Sequence, residues 1–314
     1  MPVLLAGCAS TQRPKVSRSE TPAALPVAIV VEQSVSGQVL GLPLHDPVGL
    51  AVDSRRQVYL ADSENDRVIV FGDDLQPRST VGGFGHQAGL LDNPLYITIG
   101  QNDNLWIVDY NNRRICQFTN RHLVLDCIDL VDEDDPLLIG RPISMIVNAY
   151  GEVWLTDEGN NQIVLLDNQG RFDKVIGDAS YPGGQLRGPA KLVTAPSGDI
   201  VVCDAGRSRL MVYDDSGNFE REIADVSMVE PVAAAFDEQG LWWVLDRSTA
   251  QVYCLDDEGA WVGSFGPVLS GDSRALSTPK DLVFDDEGRL LIVDSGNNRL
   301  LACRVYYDQD TSSN

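Results

Sequence analysis

Six times along the chain a Pro opens a short apolar run, a polar turn follows, and a near-continuous apolar segment then closes on Asp. The pairs are Pro47–Asp62, Pro94–Asp109, Pro142–Asp157, Pro189–Asp204, Pro231–Asp246 and Pro279–Asp294, always 15 residues apart. The distance from one unit to the next varies between 42 and 48 residues, so the fixed part is structural and the variation lies between units. Turns such as "APSGD" (195–199) and "DDEG" (285–288) supply Asp, Ser and Gly where a tight hairpin needs them. The segments after them ("VYLA", "LWIV", "VWLT", "IVVC", "WWVL", "LLIV") are apolar on both faces, as strands covered on both faces are. Three residues before each Asp stand Tyr59, Trp106, Trp154, Val201, Trp243 and Leu291, suited to packing between neighbouring units. Repeats of this length with about four strands each predict an all-β, six-bladed β-propeller.

The last unit supplies three strands and then runs out in "DQDTSSN". A β-rich segment, "VAIVVEQSVSGQVLG" (27–41), precedes the first unit without a place of its own. It is expected to pair in part with the third strand of the final unit and close the ring, leaving no open edge. The chain then divides into 1–26, a signal remnant and tether; 27–307, the propeller; and 308–314, a polar tail.

The phrase "P-x-G-L-A-V-D … V-Y-L-A-D-S-x-N-D-R-V" at 47–68 resembles the NHL repeat, and the likeness runs to about residue 305. That resemblance implies a six-bladed propeller. Its Arg falls five residues after the Asp at Arg67, Arg114, Arg209 and Arg299, while units three and five carry Gln162 and Gln251, and unit four has Arg207 where Asn is usual. A residue pair used once per blade is a device of the blade. The Asp is expected to accept N–H groups of the loop it begins, and the Arg to return and pair with it.

Charge narrows the functional classes. With 24 Lys+Arg against 46 Asp+Glu the net charge is -22, a surface that repels phosphate backbones and argues against nucleic acid as a partner. Function is sought where the units differ. In an up-and-down blade, the turn between the first two strands and the turn between the last two share one end. The other, upper end collects the long connectors at 82–93, 130–141, 177–188 and 264–278. Two residues after each Pro the units read Gly49, Tyr96, Ser144, Lys191, Ala233 and Asp281. Tyr96, Lys191 and Asp281 fall on alternate blades and are the candidate ligand-binding residues at the channel mouth; equally, Lys191 and Asp281 form an ion pair that plugs the channel.

Catalytic chemistry finds little support. His45 and His86 lie in connectors and His122 at a turn on the opposite end, too scattered for the three-His site of lyase relatives. The Glu, Asn and Asp set of sugar-lactonase-like propellers finds mainly Asp281 and Asn148 here. No cofactor or metal is expected. The expected function is a monomeric binding or scaffold module that meets a protein, peptide or glycan with its upper face, with neutral or basic ligands favoured over phosphates. The alternative is a propeller enzyme, a lyase or a metal-dependent hydrolase of lactonase type, working at the channel mouth.

"LLAGCAS" (4–10) resembles the bacterial lipobox, which implies lipidation of Cys8. Ala9 after it implies an outer-membrane lipoprotein facing the periplasm, and residues 11–26 read as a polar tether. Only seven residues precede Cys8 and none is basic, so an export signal would need an earlier start. Five further cysteines remain; Cys116, Cys203, Cys254 and Cys303 lie in second or third strands of their units, where a buried thiol is expected. Cys116 and Cys127 flank one hairpin, diagonal rather than opposite, and leave a disulfide open.

Overall fold

In the first unit Pro47–Val52, Val58–Asp62, Arg67–Phe71 and Pro77–Gly82 pair in chain order as one antiparallel sheet. The computed structural model describes residues 24–130, 139–180, 183–224 and 227–308. Units two to five repeat the same order, and six such four-stranded sheets form the blades of a six-bladed β-propeller. Cys8 lies outside the described residues.

The sixth blade closes as the unplaced segment suggested. Pro26–Ser36 becomes its outer strand, antiparallel to Arg299–Tyr307, with Ile29 opposite Val305 and Val35 opposite Leu300. The segment's remainder forms a small hairpin, Gln38–Val39 with Leu42–Pro43. Val31 N–H donates to the Ser270 carbonyl (2.8 Å), so the closing strand is pinned to the fifth-to-sixth connector as well.

The core is divided among the interfaces between blades. Tyr59 packs with Ile97, Leu105 and Ile107 of blade two, Trp154 with Leu192 and Val202 of blade four, and Trp243 with Leu282 and Ile292 of blade six. Tyr59, Trp154 and Trp243 are fully buried, each withdrawing apolar surface worth about 1.5–3 kcal/mol. Both faces of each middle strand are used, which is why those strands lack hydrophobic alternation.

Pro stands directly opposite Asp in all six blades, so the recurring spacing of 15 is the length of one hairpin. The Asp serves the loop it begins, taking Asn65, Asn112 and Asn297 Nδ2 (each 2.8 Å) in blades one, two and six and the Thr249 N–H (2.9 Å) in blade five, and it also reaches beyond that loop. It accepts N–H groups from the connector entering its own blade: His45 to Asp62 (2.8 Å), Asp92 to Asp109 (2.7 Å), Arg187 to Asp204 (2.6 Å), Val229 to Asp246 (2.7 Å) and Ser277 to Asp294 (2.7 Å). The expected Arg pairing is present, Arg67 Nε and Arg114 Nε each 2.7 Å from their Asp. Arg114 also donates to the carbonyls of His86, Gln87 and Leu90. The pair thus fastens the connector onto the blade, which a reading confined to the local loop misses.

Cys116 and Cys127 are directly opposite and joined by a disulfide, with Cα atoms 4.1 Å apart. The diagonal expectation fails because of a bulge. Phe118 faces Val124 beside the turn, but the register slips by one after Gln117, carrying Cys127 into line with Cys116. Cys203, Cys254 and Cys303 are buried free thiols.

Candidate functional site

In each inner strand the pairing with the second strand slips just after Pro, for example between Pro94 and Tyr96 and between Pro279 and Asp281. Bulges re-aim side chains, and here they bring positions at the same offset from six Pro residues around one axis. Lys191 reaches across the channel from blade four to blade six, placing Nζ 2.5 Å from Asp281 Oδ1 and 2.9 Å from the Leu282 carbonyl. Asp281 also accepts the N–H of Leu50 in blade one (2.9 Å) and of Leu282 (2.8 Å). The Tyr96 ring centroid lies 5.9 Å from Lys191 Nζ, at the outer limit of a cation–π contact.

The three residues read from the sequence therefore do converge, but as a partition: Tyr96, Lys191 and Asp281 are 8%, 5% and 2% exposed. Burial opposes the Lys191 charge, but Asp281 outweighs it and holds the ammonium above the usual lysine range. Burial pushes the Asp281 carboxyl up against the pull of Lys191, and pushes the Tyr96 hydroxyl up to about 12.

Above the partition lies a cavity of about 280 Å³ whose walls include Arg141, Glu158, Arg247 and Lys280. Sequence reasoning missed all four. They stand at Pro142−1, Asp157+1, Asp246+1 and Pro279+1. Since Pro and Asp pair at the upper end, those offsets were a usable signal. Arg141 pairs with Glu158 (3.2 Å), Lys280 with Asp46 (2.8 Å) and Arg247 with Glu230. Burial pulls the Asp46 carboxyl up, but hydrogen bonds from Lys280 and Ser295 outweigh it and leave the group below the usual range. A chain of net charge -22 thus gathers four cations, Lys191 included, around one mouth.

The histidines stay apart. His45 and His86 are exposed on the upper side, and His122 Nε2 lies 3.2 Å from the Tyr59 hydroxyl on the lower side. Among the described residues no three His, Cys, Asp or Glu side chains converge as a metal-ligand set.

The chain's similarities can be set beside this geometry. A streptogramin B lyase is 10% identical, with a TM-score of 0.64 over 87% of this chain and 98% of that one. The virginiamycin B lyase of Staphylococcus aureus is 12% identical, with a TM-score of 0.61 over 90% and 89%. A gluconolactonase from Xanthomonas campestris is 15% identical, with a TM-score of 0.65 over 92% and 99%. At such identities the likeness carries the fold. No curated protein sequence matches the chain. The NHL repeat family matches residues 44–71, which hold the first blade's inner three strands. The chain is a six-bladed β-propeller that carries an NHL repeat.

Proposed function

We propose that the protein is a recognition module held at the bacterial envelope, binding a protein, peptide or glycan with its upper mouth. The carrying observation is the cavity above the partition, where side chains of both signs of charge stand among apolar ones on a rigid six-bladed frame. Tyr96 keeps its proton and Lys191 its charge at neutral pH, so neither can take a proton from a ligand. The disulfide between Cys116 and Cys127 supports an oxidising compartment, in keeping with export and an anchor at Cys8. Lyase and lactonase activities belong to proteins that share the fold, and at 10–15% identity they bring no reaction to this chain.

The test is crosslinking of the full chain in its own envelope, comparing the parent with Arg141→Glu/Arg247→Glu. Both side chains are substantially exposed, at 59% and 44%, so the double variant should melt as the parent does. Loss of the captured partner with an unchanged melting curve supports the upper mouth. Full capture by the variant removes it.

A further inference from the structure

Below the Lys191–Asp281 partition the channel widens again into a chamber of about 490 Å³. Its walls come from the fourth and fifth residues after each Pro, including Ile146, Val193, Ala235, Val147, Phe236 and Phe284. Of the twelve side chains at those offsets only Thr98 and Thr194 are polar. The volume falls within the usual range for small-molecule sites; its side chains are mostly apolar, and backbone groups of the inner strands supply polar contacts beside them in nearly equal share.

What enters is decided by the two ends. At the closed end Lys191 has spent its charge on Asp281 and a donor on the Leu282 carbonyl, so an anionic head finds no free cation there. At the open end Pro196, Phe236 and Phe284 continue into a groove of about 600 Å³ that contains Glu238, Asp286 and Glu287 together with Arg289 and Arg304, the latter paired with Glu32 (2.8 Å). Asp237 and Asp285 in that groove are already committed, Asp237 to Trp243 Nε1 and Tyr307 Oη (both 2.9 Å) and Asp285 to Arg289 Nε (2.7 Å). Glu238 and Asp286 are exposed, and a net charge of -22 stands behind them.

From these two ends we infer that the lower chamber is a second binding site, for a small amphiphile with an apolar body and a cationic head. The body lies against Ile146, Val193, Phe236 and Phe284, and the head stays at the acidic rim beside Glu238 and Asp286. This site faces away from the upper mouth and does not depend on what the mouth binds.

Calorimetric titration of the full chain with decyltrimethylammonium, decyl maltoside and decanesulfonate, all below their micelle concentrations, tests the assignment. One equivalent of the cation should bind about tenfold more tightly than the neutral compound, the scale of two exposed charge interactions, with the sulfonate weakest. Added salt should narrow that gap. Glu238→Lys/Asp286→Lys should abolish the preference for the cation while leaving the maltoside's affinity unchanged. Val193→Trp, which fills the chamber, should remove binding of all three. Should that variant not fold, a photoreactive alkylammonium on the parent chain reads the same point, labelling the segments that hold Val193, Phe236 and Phe284. Equal affinity for all three heads, several equivalents per chain, labelling elsewhere, or full binding by a folded Val193→Trp would each overturn the proposal.

Discussion

Asp109 shows how much one carboxylate can hold. It takes the Asp92 N–H (2.7 Å), Asn112 Nδ2 (2.8 Å) and Arg114 Nε (2.7 Å), with no exposed surface of its own. Asp109→Ala strands the buried Arg114 and should cost about 3–5 kcal/mol, whereas Arg78→Ala at the exposed Asp74 pair should cost under about 1 kcal/mol. Urea unfolding midpoints for the two variants check the contrast. Lys191→Met would leave Asp281 buried without its cation. Burial already raises the Asp281 pKa, and the variant removes the group that opposed the rise. The folded state then binds a proton that the unfolded state, near pH 3.8, has released; the stability deficit should grow as pH rises from about 4 and shrink on acidification. A deficit flat across pH 4–8 would show that Asp281 is not buried as an anion. His122 runs the other way. Burial first, and then Arg55, hold its pKa below 6.5, so the stability it contributes is complete above pH 6.5 and is lost as pH falls through the lowered value. His122→Gln should therefore lose less stability than the parent between pH 7 and 5 in paired melting curves. The Pro–Asp spacing was legible from the chain because it repeats. The Arg partner of the Asp was legible as well, but the connector N–H groups the Asp accepts were not, since they lie 16 or 17 residues upstream in irregular sequence.

Single strands were easier to read than their registers. The second strands announce themselves by apolar runs, and packing between blades explains why those runs lack alternation. Bulges carry no comparable signature: the one after Gln117 turns a diagonal cysteine pair into an opposite one. The disulfide it creates ties the third strand of blade two, Arg114–Phe118, to the outer strand, Val124–Asp129. That outer strand is mostly exposed, so apolar burial alone holds it weakly. Removing the crosslink as Cys116→Ala/Cys127→Ala should cost about 2–4 kcal/mol, and reductant should lower the parent's melting temperature but not the variant's. The recurring bulge after Pro had a different legibility. It set the offset at which Tyr96, Lys191 and Asp281 meet, so the three could be placed on one axis from spacing alone. The rows at the next offsets were equally apolar in the sequence, but the chamber they enclose depends on the diameter of a closed ring, which spacing does not report.

A ring of six blades has one seam, and this chain places it inside blade six. Three of that blade's strands come from the end of the chain and the fourth from Pro26–Ser36. Without the fourth, Arg299–Tyr307 would present Leu301, Cys303 and Val305 along an unpaired edge, the arrangement that recruits other chains. The closing strand also buries Ile29 in the interface of blades five and six and bonds to Ser270 of the preceding connector. Its loss therefore loosens two blades and a connector together. Removal of residues 1–23 leaves the strand whole, and the melting temperature should stay within about 2 °C of the parent. Removal of residues 1–36 takes the strand away, and several kcal/mol of lost pairing and burial should lower melting on the order of 10 °C or send the chain into aggregates. Thermal unfolding with light scattering distinguishes the two truncations. If the shorter truncation alone destabilised the protein, the N-terminal residues would matter for more than closure. If the longer one left melting unchanged, the ring would hold by its six interfaces without the seam.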